Sequence, residues 1–187
     1  MRLLPLGFFR RGAEEVAPDL IGAAIRSTRY GMVTEGLIVE TEAYLGFDDP
    51  ASHAYRGRLT RSNASLYSGP GTWYVYRSYG LYWCANLVCG GPAGGSAVLL
   101  RAIVPTGGVD TMQWRRGGVN GRHLTNGPGK LCQALGITRS LDGISMRQSR
   151  VLVASSRSSV SHNVRVTGRI GITKAVDWPL RFVLAGH

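Results

Sequence analysis

Two glutamates and a tyrosine alternate along one candidate strand, residues 36–44, which contains the run V-E-T-E-A-Y. Alternation along a strand places Glu40, Glu42 and Tyr44 on one face, together with Ile38. Carboxylates two residues apart can shift each other's pKa, and one that stays ionised beside an apolar pocket is suited to act as a general base. The spacing alone is more typical of an exposed polar strand face. Tyr44 beside the carboxylates favours a pocket that holds a flat ring near an attacking water.

Aromatic residues are concentrated in residues 71–86, G-T-W-Y-V-Y-R-S-Y-G-L-Y-W-C-A-N. This run holds four of the eight tyrosines, and it lies in a window, residues 50–109, that contains no Asp or Glu. Aromatic faces beside arginines and away from carboxylates suit stacked, negatively charged partners. Nucleic-acid bases on a phosphate backbone are therefore the leading candidate ligand.

Five polar or aromatic positions in or near this run have more than one interpretation. Tyr79 precedes Gly80 at the tip of a predicted hairpin, where an exposed ring can wedge between base steps. Asn86 and Arg101 interrupt apolar strands, and buried polar groups need partners, so each either closes an internal network or faces a ligand. Tyr74 and Tyr76 share a strand face, and ordinary sheet packing explains at least one of them.

Basic residues follow a loop histidine at once. His53 stands before Arg56, Arg58 and Arg61, an arrangement typical of a phosphate-binding loop, although a solvated loop face has the same composition. Lys130 lies in N-G-P-G-K, which suits phosphate contact as well as imine formation with a substrate carbonyl. The sequence thus offers Arg58 and Lys130 as contacts to a nucleic-acid backbone.

Composition bounds the class of protein. A length of 187 residues fits one domain, and 44% apolar residues suffice for a core. The formal net charge is +11, and eight of the eleven acids precede Pro50, which favours a polyanionic partner. Biased codon usage explains part of the excess of arginine over lysine. Three cysteines suggest neither a disulfide framework nor a zinc site, so we expect a reducing compartment and no metal. Neither a signal peptide nor a membrane helix is expected.

Hydrophobic periodicity and turn residues divide the chain into short elements. Residues 46–63 are interpreted as a functional loop or a loop with a short helix, and residues 78–80 as the turn of a hairpin. No Walker loop or Rossmann fingerprint is present. Predicted helices cover residues 14–26, 109–116 and 129–136; predicted strands cover residues 36–44, 72–77, 79–88, 97–104, 151–154, 164–167 and 181–185.

Several motifs in this order resemble the alkyladenine (3-methyladenine) DNA glycosylase family, over about residues 3–184. Any one of them could occur by chance, but the series at compatible spacings is specific. The motifs are V-E-T-E-A-Y-L-G (39–46), H-A-Y-R-G-R (53–58), Y-V-Y-x-x-Y-G-x-Y (74–82), V-L-L-R-A (98–102), G-P-G-K-L-C-Q-A-L (127–135), R-I-G-I (169–172) and P-L-R-F (179–182).

The resemblance implies an α+β fold in a single domain, residues 1–187, with a curved antiparallel sheet, surrounding short helices and a protruding hairpin. It also implies a monofunctional glycosylase that flips alkylated or deaminated purines out of double-stranded DNA and leaves an abasic site. The purines are of the 3-methyladenine type, with hypoxanthine or ethenoadenine as further candidates. A shortage of lysines agrees with the absence of lyase chemistry.

The resemblance also implies a role for each matching residue. Glu42 would activate the water, held with the help of Arg101 and the Ile170 carbonyl. The other roles are stacking of the flipped purine by Tyr44, His53 and Tyr76, intercalation by Tyr79 and discrimination against guanine by Asn86. Trp73, Tyr74, Tyr82 and Trp83 are then expected to pack in the sheet and core.

Two other functions are compatible with parts of the sequence. A non-enzymatic nucleic-acid-binding protein would use the same basic and aromatic surface, with salt-dependent binding and no base release. A metal-dependent nuclease is disfavoured, because no acidic cluster follows Asp49. For the glycosylase we expect no cofactor, a monomer, no membrane contact and a cytoplasmic, nucleoid-associated location.

Overall fold

A computed structural model describes residues 2–91, 94–155 and 163–187. Three short α-helices, seven 3₁₀ helices and one eight-stranded sheet make up the regular structure of these residues. The helices are α1 (Ala13–Asp19), α2 (Val109–Arg115) and α3 (Pro128–Leu135). The strands are β1 (Ala24–Arg29), β2 (Met32–Tyr44), β3 (Trp73–Ser78), β4 (Tyr82–Cys89), β5 (Ser96–Gly107), β6 (Val151–Ala154), β7 (Val164–Thr167) and β8 (Arg181–Leu184).

The sheet is antiparallel at every pairing, and β2 is its organising strand. The main strand order is β3-β4-β5-β2-β1-β6, while β8 pairs with β2 and with β7. This arrangement confirms the predicted fold class, a curved antiparallel sheet with short helices around it. Within the described residues, no helix has the length and apolar character that a membrane crossing needs.

The hydrophobic core lies on one face of the sheet, beneath the helices. Residues of α1, α2 and α3 form one buried cluster with inward-facing residues of the strands. The buried Thr41 hydroxyl donates to the Ala17 carbonyl at 2.9 Å, which attaches β2 to the end of α1. The opposite face of β2, β4 and β5 therefore remains available for a site. Representative core residues are Phe9, Val16, Ile38, Ala43, Leu87, Leu100, Met112, Leu131 and Leu135.

Two irregularities in the β2–β5 pairing decide which side chains reach that opposite face. Ile38 pairs with Ile103 and Glu40 with Ala102, so Val39 has no regular partner. Thr41 then pairs with Leu100, which leaves Arg101 without a partner on β2. Extra residues of this kind reverse the in–out alternation of a strand. The prediction that Ile38 shares a face with Glu40 is therefore wrong, and Ile38 lies in the core.

The predicted helix at residues 14–26 is too long. The helix ends at Asp19, and residues 24–29 form strand β1 instead. Gly22 has a φ of 83°, a left-handed conformation that turns the chain out of the helix. From there burial alternates, with Ile25 and Ser27 inside, which is the two-residue period of a strand.

The hairpin between β3 and β4 has its turn one residue later than predicted, and its second strand begins at Tyr82 instead of residue 79. Tyr79, Gly80 and Leu81 form the tip, and the Leu81 amide donates to the Ser78 carbonyl at 3.0 Å. Tyr79 and Gly80 both have positive φ, 51° and 67°, as the two central residues of a type I′ turn require. A tyrosine is a strained choice for that position, which is a reason to look for a function at the tip.

Candidate active site

A cavity of about 690 Å³ opens on the sheet face opposite the core. Its walls come from the end of β2, the loop after it, strands β3 to β5 and the segment that leads into β8. Residues predicted separately from the sequence thus meet in one place. Those that line the cavity are Tyr44, His53, Tyr76, Tyr79, Asn86, Arg101 and Ile170.

Glu42 lies directly behind this cavity and is fully buried. The Tyr44 hydroxyl donates to its Oε2 at 2.9 Å, and the Ile170 amide donates to its Oε1 at 2.8 Å. The Arg101 guanidinium lies 3.3 Å from the same Oε1. All three neighbours line the cavity. Ile170 therefore meets Glu42 through its amide, while the predicted water contact of its carbonyl stays a prediction.

Burial raises the pKa of Glu42 above its ordinary value, although Arg101, the Ile170 amide and the Tyr44 hydroxyl oppose this shift. Glu40, one strand repeat earlier, behaves in the opposite way. Desolvation alone would raise the pKa of Glu40, but hydrogen bonds from Arg181 and Arg101 hold it below the ordinary range. The two carboxylates thus differ: Glu40 is held as an anion, whereas Glu42 takes up a proton at a higher pH than an ordinary carboxyl group.

Glu40 fixes the guanidinium that approaches Glu42. Its Oε1 accepts from Arg101 Nε at 2.7 Å and from Arg181 Nε at 2.6 Å. Arg181 is held in turn by the Thr167 hydroxyl at 3.1 Å. A continuous chain of charged groups therefore runs from β8 to the cavity wall, and Arg101 ends it there.

His53, Tyr74 and Tyr76 form one aromatic wall. The His53 and Tyr76 rings meet edge to face with centroids 4.6 Å apart, and Tyr74 stacks on Tyr76 at 5.3 Å. His53 Nδ1 lies 2.7 Å from the Tyr74 hydroxyl. Desolvation and the charge of Arg58 lower the pKa of His53, so its ring is neutral at pH 7. Tyr74 is buried in the sheet as predicted, and it also lines the cavity and contacts His53.

Asn86 and Tyr79 lie at opposite depths of the cavity. Asn86 is buried, and its Nδ2 donates to the Tyr74 carbonyl at 3.1 Å, so the amide is held in place at the wall. Tyr79 lies at the rim with 86% of its surface exposed. Asn86 is thus an anchored amide at the inner wall of the cavity, and Tyr79 is a ring that projects from its rim.

The predicted backbone contacts lie outside this cavity. Arg58 is exposed on the loop after His53, where its carbonyl accepts from Asn63 and Tyr67. Lys130, in the first turn of α3, donates to Asn126 at 2.8 Å. Neither residue lines the cavity, but Lys174, which has no predicted role, does.

Sequence reasoning also missed a buried ion pair, Asp49 with Arg169. Both side chains are fully buried, and Arg169 additionally donates to the Ala43 carbonyl at 3.0 Å. The guanidinium carbon lies 4.7 Å from the centre of the Tyr44 ring. Arg169 opens the R-I-G-I motif, where an arginine before apolar residues was the available signal.

Of the aromatic residues expected to pack in the core, Trp73 is fully buried and Trp83 packs at the edge of the core. The prediction for Tyr82 is wrong: it is 57% exposed, because it begins β4 next to the protruding tip. All three cysteines are buried thiols. Among the described residues, no three His, Cys, Asp or Glu side chains come together as metal ligands.

The cavity thus combines a buried carboxylate, an aromatic wall and an exposed hairpin ring at its rim. Comparison with known proteins gives the class. A profile of the methylpurine-DNA glycosylase family matches residues 7–187. A Granulibacter bethesdensis protein named "Putative 3-methyladenine DNA glycosylase" is 48% identical over 97% of this chain and 84% of its own length.

Two further relatives carry the same name. The Agrobacterium fabrum protein is 48% identical over 98% of this chain and 89% of its own length. The Methanoculleus marisnigri protein is 47% identical over 98% of this chain and 95% of its own length. The chain belongs to the methylpurine-DNA glycosylase family. It is therefore a DNA repair glycosylase, a hydrolase of N-glycosyl bonds with DNA as its substrate.

Proposed function

We propose that this glycosylase removes purines of the 3-methyladenine type from double-stranded DNA by flipping the damaged base into the cavity described above. The observation that carries this proposal is the position of Glu42, buried directly behind an aromatic cavity and held by three of its wall residues. The relatives named for 3-methyladenine support the choice of base. Flipping is how glycosylases reach an atom that is buried in a duplex.

The base would stack between Tyr44 on one side and the His53–Tyr76 pair on the other. A flat ring held between two aromatic faces needs about 7 Å between them, twice the usual contact distance. His53 and Tyr76, with centroids 4.6 Å apart, leave no such gap and act together as one wall. Stacking of this kind is worth about 1–3 kcal/mol per base.

Glu42 would accept the proton of the attacking water. An ionised carboxylate has about four acceptor positions; Tyr44 and Ile170 occupy two of them, and the Arg101 guanidinium forms an ion pair with Oε1. A remaining position would be available to a water directed at the sugar carbon C1′. Alkylated purines carry positive charge and leave readily, so a base can suffice for them without a strong acid.

Asn86 would discriminate between purines. Its amide is anchored to the Tyr74 carbonyl, so it cannot withdraw from a base that carries an additional exocyclic amine. Guanine has such an amine and adenine derivatives lack one at that position. Hypoxanthine and ethenoadenine also lack it, and they are further substrates under this proposal.

Contacts to the duplex would come from the exposed residues around the cavity. Tyr79 would fill the gap that the flipped base leaves, with Arg58 and Lys130 on phosphates. The proposed reaction is monofunctional and needs no metal or other cofactor. Lys174 lines the cavity, but the proposed mechanism gives its amine no bond to the sugar. The enzyme would act as a monomer on the nucleoid in the cytoplasm.

Base release from methylated DNA tests this function. Incubation with dimethyl sulfate-treated duplex should release free 3-methyladenine, leave abasic sites without strand breaks and proceed in EDTA. Duplexes with single hypoxanthine or ethenoadenine residues extend the test to neutral bases. Salt-dependent DNA binding without any free purine would support the non-enzymatic alternative. A borohydride-trapped adduct would contradict the monofunctional mechanism, and Lys174→Ala would show whether that amine forms it.

A further inference from the structure

A second cavity of about 770 Å³, here called the aromatic groove, opens on the other side of the hairpin. Four large apolar side chains on its walls are mostly exposed: Trp114 at 72%, Tyr30 at 70%, Leu81 at 67% and Tyr82 at 57%. Exposed apolar residues gathered around one groove mark an interaction site more often than isolated ones do. The proposed excision reaction uses none of these four residues.

The groove and the active-site cavity share a dividing wall. Ser78 and Tyr79 line the active-site cavity, while Leu81 and Tyr82, immediately after the tip, line the groove. The start of α3 is divided in the same way, with Pro128 on one side and Gly129 on the other. A large ligand into which the hairpin tip inserts would therefore contact both cavities at once.

The charge around the groove fits a nucleic acid. The described residues that line it include Arg115 and no Asp or Glu. The Arg115 guanidinium is fixed by the carbonyls of Ala134 and Arg29 at 3.0 and 3.2 Å. The guanidinium of Arg29 lies 5.4 Å from the centre of the Tyr30 ring. Aromatic faces beside fixed arginines form the kind of platform on which bases stack.

We propose that the aromatic groove binds the DNA strand opposite the lesion, with Trp114 and Tyr82 stacking against nucleotides beside the site that Tyr79 enters. This inference rests on the proposed function, because it takes the flipped base to occupy the other cavity. One side of the hairpin wall then holds the damaged nucleotide. The opposite strand, whose nucleotide has lost its pairing partner, lies on the other side of this wall.

The experiment compares double- and single-stranded oligonucleotides that carry the same lesion. Trp114→Ala should lower excision from the duplex roughly tenfold at subsaturating enzyme, the loss expected for one stacked base. It should leave excision from the single strand unchanged, because that substrate has no opposite strand. Trp114→Phe, which keeps a ring, is the matched control and should retain most of the duplex activity.

The outcomes separate the inference from the function beneath it. Wild-type protein that releases no base from either substrate would refute the proposed function. If the wild type excises the base but Trp114→Ala lowers excision from both substrates equally, or from neither, only the inference about the groove is refuted. Because Trp114 is exposed, we expect the variant and the wild type to have equal thermal unfolding temperatures. Equal temperatures exclude a folding defect as the cause of any loss of activity. A Trp114-dependent dimer in sedimentation, with unchanged duplex excision, would assign the groove to a second copy instead.

A 2-aminopurine placed opposite the lesion gives an independent readout. Its fluorescence rises when it leaves the base stack and falls when an aromatic side chain stacks on it. We expect a smaller rise with wild-type protein than with Trp114→Ala. The same signal with both proteins would contradict stacking in the groove.

Discussion

Asp49 and Arg169 form an ion pair between two fully buried side chains that are 120 residues apart in sequence. Asp49 also accepts from the amides of Leu45 and Ala51, so it organises the turn that follows β2. Arg169 covers the Tyr44 ring and immediately precedes Ile170, whose amide meets Glu42. One pair thus locks two sides of the active-site cavity to each other.

Removal of one partner of this pair should be costly. Asp49→Asn leaves the Arg169 charge buried with only carbonyl and amide partners, and we expect a loss of about 3–5 kcal/mol in the free energy of unfolding. Urea denaturation measures it. The double variant Asp49→Leu, Arg169→Met removes both charges, and it should be more stable than Asp49→Asn. A loss below about 1 kcal/mol in Asp49→Asn would show that the pair is dispensable.

The sequence allowed prediction of the elements whose pattern is local. The alternation in β2 and the apolar run of β5 carry their own signals, and both strands contain the predicted residues, although β2 already begins at Met32 and β5 continues to Gly107. The turn residues predicted the hairpin, whose tip lies one residue later than expected. The helix at residues 14–26 was overextended, because the tertiary pairing of Ile25 and its neighbours with β2 outweighs helical spacing. Local patterns do not contain that pairing.

The site was predicted where a motif carried it and missed where a distant contact creates it. Glu42, Tyr44 and Tyr76 lie on strands with readable faces. By contrast, Arg169 and Asp49 acquire their role only when two distant loops meet. The bulge at Val39, which directs Glu40 and Glu42 away from the core, is equally invisible, because it depends on register with β5.

The two glutamates of β2 should differ in their effect on base release. Glu42→Gln keeps the size and the hydrogen-bonding shape but cannot accept a proton at neutral pH, so we expect the single-turnover rate to fall about 10²–10⁴-fold. Glu40→Gln should cost less, because Glu40 acts only through the position of Arg101. Single-turnover excision from a duplex with one lesion measures both rates. Equal losses for the two variants would contradict the assignment of Glu42 as the base.

The pH dependence of excision should report the raised pKa of Glu42. A general base works when it is deprotonated, so the excision rate should fall as the pH drops below the pKa of Glu42. The acid limb of the pH–rate profile should therefore lie above 4.5, the ordinary pKa of a glutamate. Tyr44→Phe removes a hydrogen bond that favours the carboxylate, and the limb should then move to higher pH. Tyr74→Phe changes the partner of His53 instead and is the control. A limb that moves in the control but not in Tyr44→Phe would point to His53.

Asn86→Ala should widen the range of excised purines. The variant removes an anchored side chain from the cavity wall, so the excision rate of guanine-type bases should rise relative to that of adenine-type bases. We expect the ratio of the two excision rates to change about tenfold, as for other small groups in a binding pocket. Chromatography of the purines released from methylated DNA gives the ratio. An unchanged ratio would show that discrimination lies elsewhere in the cavity.

Tyr79 offers the cleanest separation of folding from DNA contact. The ring is exposed, and alanine bears the same positive-φ strain as tyrosine, so Tyr79→Ala should change the free energy of unfolding by no more than about 0.5 kcal/mol. Excision from a duplex should nevertheless fall, because nothing then fills the gap left by the flipped base. Tyr79→Phe keeps the ring, and it should retain most of the activity. The effect should shrink on a single-stranded substrate, where there is no stack to fill. Full duplex activity in Tyr79→Ala would remove the hairpin tip from the mechanism.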